Sequence, residues 1–254
     1  MNRYLITALL ALLSHLGFSQ STKVIVRARA KDAKFIGTGI GGAYVVIRND
    51  LTGEILAKGI TTGTSGNTDL MLKTPHKRYD HLADDKTAKF EADIKLDEPT
   101  FVTVEATAPV NRRSSAVKVS TQLWLIPGKP IDEEGIVLEI PGFMLDILEP
   151  QTHQVISQTS LRDNQVKLKI NLVMMCGCVI NKGGVWNSDQ IEVKAFVKKD
   201  GVPYGEVSLQ FASQDNIFEG WLNAKDKGMY EVQIYAYDRI TKNTGVDRIN
   251  FVIQ

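Results

Sequence analysis

The sequence predicts an all-β protein: two antiparallel β-sandwiches in tandem behind a short export signal. Short runs of alternating apolar and polar residues recur along the chain, the period of a half-buried strand. Turn residues separate these runs at close spacing, which points to a sandwich rather than to a parallel sheet with crossover helices. The chain has 254 residues, 43% of them hydrophobic, enough for two cores of ordinary size.

Residues 1–19, MNRYLITALLALLSHLGFS, read as a signal peptide. Arg3 supplies the positive start, Leu5 to Leu16 the apolar run, and Gly17 and Ser19 the small residues before a cleavage site. The apolar run, roughly twelve residues, is too short to span a bilayer, and no cysteine follows for a lipid anchor. The expectation is a bacterial protein that is periplasmic or secreted, with no membrane insertion after cleavage. The chain carries 30 basic and 29 acidic side chains, and losing Arg3 with the signal makes them equal. A neutral chain is not a nucleic-acid binder and does not adhere to membranes by charge.

The first half, residues 20–149, begins with alternation in TKVIVRARAK from Thr22. AYVVI from Ala43 and EILAKGIT from Glu54 flank a hairpin turn, Asn49 to Gly53. Strands follow at 88–95, 101–107, 116–126 and 135–144, with Pro99, Pro109 and Pro127 at their ends. Gly39, Gly41 and Gly42 lack the following helix and the spacing of a nucleotide loop, so they read as a strand connector. Trp124 alternates with Gln122 and Ile126. Its side chain is expected to be partly exposed, marking a partner or glycan surface or, the favoured reading, packing in the core or a hinge.

The stretch IGGAYVVIRNDLTGEILAKGITTGTSG, about thirty residues, resembles carboxypeptidase regulatory-like and transthyretin-like sandwiches. That resemblance implies a domain that binds or positions other molecules rather than one that catalyses.

Between Pro75 and Asp85 lie two histidines and three aspartates. On a helical turn His76 and Asp80 face alike, and His81 faces Asp84 or Asp85. These side chains suit a hard metal such as zinc, although the spacing matches no closed zinc motif. A solvated loop is the alternative to a site at His76, Asp80 and His81.

The second half, residues 150–254, opens on a polar, turn-rich segment after Pro150. Its centre is QVKLKINLVMMCGCVINKGGVWN, residues 165–187, which holds both cysteines and two of the six methionines. An unbroken pleat puts Leu172, Met174, Cys176 and Cys178 on the core face, with Val173, Met175 and Gly177 opposite. Three sulfurs on one face offer soft donors to Cu(I), with Gly177 bending the chain so that they converge. The alternatives are a redox-active dithiol, a Cys-x-Cys disulfide, or a buried strand end. No cofactor is required by any other feature. After the turn at Gly183 and Gly184, Trp186 is expected either to fold back as a lid or to form part of a partner-binding end loop.

Later strands are expected at 190–197, 206–212, 217–222, 229–237 and 246–253, with a hairpin turn at Lys199-Asp200-Gly201. KGMYEVQIYAYD from Lys227 and TKNTGV from Thr241 resemble the final hairpin of bacterial immunoglobulin-like domains, except that Lys242 stands where glycine is common. The resemblance implies that Tyr230 is a corner tyrosine bonded back to the main chain. Asp238, Asn243 and Asp247 read as turn caps or, alternatively, as calcium ligands. Immunoglobulin core disulfides join cysteines far apart in sequence, so Cys176 and Cys178 are not that bridge.

No nucleophile elbow, His-Glu-x-x-His, Walker loop or framed carboxylate pair is present. The leading expectation is a non-catalytic binding or assembly module that docks on a protein partner through end loops or edge strands. The second is a soft-metal handler that uses the sulfur strand.

Overall fold

The computed structural model describes residues 19–254, so most of the expected signal peptide lies outside the described residues. The remainder is an all-β sandwich protein. The first half contains β1 (Gln20–Ala30), β2 (Tyr44–Asn49), β3 (Ile55–Ile60), a single helical turn α1 (Thr68–Leu72), β4 (Phe90–Leu96), β5 (Thr100–Ala108), β6 (Val117–Leu125) and β7 (Ile131–Ile140). A three-stranded sheet, β4-β1-β7, faces a four-stranded sheet, β3-β2-β5-β6. Alternation explains the core: Val24, Val26 and Ala28 of β1 are buried with Val45 and Ile47 of β2 and Val102, Val104 and Ala106 of β5.

The expected turn at Asn49–Gly53 forms. The Asn49 side chain accepts the Leu51 and Thr52 N–H groups, and Gly53 takes a φ of +76°. A charge sits inside this sandwich. Arg27 is buried on β1 and donates to four carbonyl oxygens, those of Thr87, Ala88, Glu133 and Glu134. Its forked guanidinium thereby fastens the loop before β4 to the bulged start of β7.

The second half contains β8 (Phe143–Glu149), β9 (Gln154–Ile156), β10 (Gln165–Met174), the two-residue β11 (Ile180–Asn181) and β12 (Trp186–Asn187), β13 (Ile191–Lys199), β14 (Val202–Phe211), β15 (Ile217–Asn223), β16 (Gly228–Asp238) and β17 (Thr244–Ile253). Eight strands run in the order β8-β10-β15-β14-β13-β16-β17-β9. The sheet folds over on itself, so that β8 lies against β17 and the Ile147 N–H donates to Asp247 Oδ2 at 2.9 Å.

The hairpin at Lys199-Asp200-Gly201 closes with two left-handed residues, Asp200 and Gly201, the backbone that a two-residue turn needs. Tyr230 is the expected corner tyrosine. Its hydroxyl donates to the Asp226 carbonyl at 2.8 Å, its ring stacks on Phe251, and burial followed by Tyr204 raises its pKa well above the usual phenol range. Strand order and this corner together make the half immunoglobulin-like.

The sequence places the strand Phe143–Glu149 with the first half. Its backbone pairs with β10 in the sheet of the second, so the hydrogen bonding changes sheets at Pro141 and Gly142 rather than at Pro150. Buried side chains of both halves form one continuous cluster, with Ile140 and Phe143 on either side of that change.

Candidate functional site

Strand β10 ends at Met174, and the pleat expected through Cys178 does not continue. The Gly177 N–H donates to the Met174 carbonyl at 2.7 Å, and the Met174 N–H donates to the Cys178 carbonyl at 3.2 Å. This bond pattern belongs to a three-residue loop closed by a left-handed residue, and Gly177 provides it with φ +77°. Met175, expected to face away from the core, is therefore buried beside Met174. Cys176 and Cys178 are joined as a disulfide with Cα atoms 5.4 Å apart. Neither sulfur is a thiolate in this state, so Met174, Cys176 and Cys178 do not present three soft donors.

The turn is packed rather than open. A Cβ added at Gly177 would collide with Cγ2 of Ile40 in the first half. Trp186 is not a free end-loop contact: its indole nitrogen donates to the Asp32 carbonyl at 2.9 Å. Gly183 and Gly184 remain exposed, with the Gly183 N–H held by the Asn187 side chain. The end loop expected to meet a partner thus meets the first half of its own chain.

Other contacts complete this junction. Asn243, nearly fully buried, accepts the Gly142 N–H and donates to the Lys31 carbonyl. Arg112 forms an ion pair with Asp146. Burial raises the Asp146 pKa, and Arg112 opposes that shift. Asp238 caps its own turn by accepting the Ile240 and Thr241 N–H groups. The possible calcium ligands Asp238, Asn243 and Asp247 are therefore each engaged by backbone groups.

The residues His76, Asp80 and His81 are not assembled into one site. His76 contacts the Met71 carbonyl, and Asp80 accepts the Lys77 N–H. His81 lies between Glu133 and Glu134. Among the described residues, no group of three or more His, Cys, Asp or Glu is arranged to hold a metal.

Two features of the four-stranded sheet are open to ligands. The first is the edge of β6. The Asp50 N–H donates to the Phe101 carbonyl, so alternation turns the backbone groups of Val102, Val104 and Ala106 toward β6. Through the register that pairs these residues with Leu123, Thr121 and Val119, the N–H and C=O groups of Lys118, Ser120, Gln122 and Trp124 point outward. The strand runs nine residues with no proline and no register shift.

The second feature is the outer face beside that edge. Trp124 is 60% exposed, and its ring is braced by Phe101 at 5.1 Å. One row along, Asp50 Oδ1 accepts from Thr103 Oγ1 at 2.6 Å and from Gln122 Nε2 at 2.8 Å. The sequence flagged Trp124 but not Asp50, Phe101, Thr103 or Gln122. Gln122 was within reach as the same-face neighbour of Trp124, whereas the others depend on strand pairing.

No family model and no curated protein matches the chain. Among solved structures, the chain is similar to the fibronectin(III)-like modules of CbhA from Clostridium thermocellum, at 12% identity over 92% of this chain and 94% of that one, with a TM-score of 0.30. It is also similar to a tandem pair of titin immunoglobulin domains, at 10% identity over 92% of this chain and 95% of that one, with a TM-score of 0.26. An engineered protein matches at 11% identity and a TM-score of 0.33 over 46% of this chain; the match spans only 21% of the engineered protein.

Proposed function

We propose that the chain is a non-catalytic, exported binding module that docks an extended segment of a periplasmic or cell-surface protein along the open edge of β6. The observation that carries this reading is the contrast among the sheet edges. An exposed edge is a template for strand addition unless something blunts it.

β14 pairs with β15 only at Gln210 and Phe211, and its otherwise open first part contains Pro203 with a register shift opposite it. β9 is three residues long, and β8 is covered by Asp247. β3 is shielded where the Phe90 ring packs on Gly59. β4 alternates Glu91, Asp93 and Lys95 outward, and β7 is irregular where Glu133 and Gly135 take positive φ. β6 has none of these devices beyond Lys118.

The absence of recognisable catalytic motifs in the sequence supports a binding role. Export is supported by the apolar N-terminus of the sequence. Among the described residues, no helix is long and apolar enough to cross a membrane.

The test is Ser120→Pro. Proline removes one outward N–H while leaving the bonds to β5 in place. A photo-crosslinker at Gln122 is expected to capture a partner in producing cells, and Ser120→Pro is expected to abolish that adduct without unfolding the protein. An adduct that survives Ser120→Pro, or one that forms only from a crosslinker at Gly183, returns the docking role to an end loop.

A further inference from the structure

The outer face of the four-stranded sheet carries one exposed indole within a fixed polar frame, and we propose that this face binds neutral carbohydrate. Carbohydrate chemistry sets the requirements. A pyranose ring presents an apolar C–H face that stacks on an aromatic ring and a rim of hydroxyl groups that need fixed hydrogen-bond partners.

Trp124 supplies the stacking surface. It projects from a regular strand rather than a mobile loop, and Phe101, its partner across β5, holds the indole from one side. Gln122 lies two residues away on the same strand and face, about 7 Å along it. Asp50 reaches the same row from the β2–β3 turn.

The hydrogen bonds inside this frame determine what remains for a ligand. Asp50 Oδ1 takes the Thr103 hydroxyl and one Gln122 amide proton, and the same Gln122 nitrogen donates to Thr103 Oγ1 at 3.1 Å. Among the described residues, Asp50 Oδ2 and Gln122 Oε1 accept no hydrogen bond. Both are acceptors with fixed positions, beside an indole, and both suit hydroxyl donors.

Charge narrows the class of ligand further. Arg48 stands opposite Thr103 in the sheet register, and its guanidinium donates to the Gly53 carbonyl. In the next row Lys118 pairs with Glu105. Asp50 Oδ2, a carboxylate oxygen, disfavours an acidic ligand in this row, and Arg48 disfavours a basic one. A sheet face with Trp124 on its edge strand and Tyr44 of β2, 39% exposed, suits a polymer lying across the strands. This site is separate from the β6 edge, because it uses side chains that stand on the face while strand addition uses outward backbone groups.

The experiment is affinity electrophoresis of the intact chain through gels containing soluble mixed-linkage β-glucan, arabinoxylan or galactomannan, followed by a fluorescence titration with the retarding polymer. At least one polymer is expected to retard the protein. Trp124→Ala is expected to weaken binding by about tenfold or more, the loss expected of a central aromatic contact. Gln122→Ala is expected to weaken it with the melting temperature unchanged, and Trp221→Ala and Ser120→Pro are expected to leave it intact. Three results would each overturn the assignment: no retardation by any of the three polymers, equal retardation of the Trp124→Ala variant, or retardation only by heparin or polylysine. Loss of retardation in Ser120→Pro with none in Trp124→Ala would likewise overturn it and credit the edge instead.

Discussion

Asn243 accepts the Gly142 N–H through Oδ1 at 2.8 Å, although 101 residues separate the two in the chain. The same side chain donates to the Lys31 carbonyl at 3.1 Å, so one amide in the β16–β17 turn clasps two segments where the halves meet. The clasp depends on close approach: Gly142 has φ +113°, and a Cβ there would lie 3.0 Å from the Thr244 carbonyl.

Asn243→Ala removes both hydrogen bonds and strands a buried N–H and a part-buried C=O. Each orphaned group costs about 1–3 kcal/mol, so the variant is expected to lose about 2–4 kcal/mol of unfolding free energy. Urea denaturation of wild type and variant measures this difference. A loss below about 0.5 kcal/mol would mean that the two groups find water and that the amide does not hold the junction.

Much of the strand pattern was legible in the sequence because it depends on local periodicity. Val24, Val26 and Ala28 alternate inward on β1 as expected, the Asp200-Gly201 turn forms, and Tyr230 makes its corner bond. What the sequence hid was pairing. Phe143–Glu149 alternates equally well for either sheet, and only its bonds to β10 assign it to the second. The fate of the sulfurs depended on one residue. With Gly177 in the left-handed region the chain turns back after Met174, so period-two logic stops one residue too early for Met175 and the cysteines. From the sequence Trp186 looks like a loop residue available to others, because its acceptor, the Asp32 carbonyl, is remote in sequence. Asp50, Thr103 and Gln122 come from three separate strands and turns, so no local pattern links them.

The Cys176–Cys178 bridge encloses only Gly177. A disulfide stabilises largely by restricting the unfolded chain, and a loop this small restricts little, about 1–2 kcal/mol. The Cys176→Ser/Cys178→Ser variant is therefore expected to fold and to lose no more than that in urea denaturation. Wild-type protein isolated without reductant is expected to show no titratable thiol, and two after denaturing reduction. Two thiols before reduction, with copper(I) bound in proportion and lost in the double variant, would restore the sulfur turn as a soft-metal site.

Asp32 supplies the last prediction, because its side chain sits at the junction among like charges. Asp32 is exposed by surface area, yet partial desolvation at the junction, then Asp238, then Glu139 raise its pKa, and Lys31 only partly opposes them. A carboxyl whose native pKa is raised binds its proton more tightly in the folded chain. Its contribution is therefore full below the ordinary carboxylate range and is lost as pH rises through the native pKa. At neutral pH the ionised group works against folding. Asn at this position keeps the shape and tolerates the left-handed backbone, which has φ +56° here. It also leaves in place the main-chain carbonyl that accepts from Trp186. Asp32→Asn is expected to melt above wild type at about pH 7, with the gap closing as pH falls below about 4. Melting curves at both pH values decide it. A gap independent of pH would assign the effect to packing, and a variant less stable at neutral pH would show that the Asp32 charge holds the junction together.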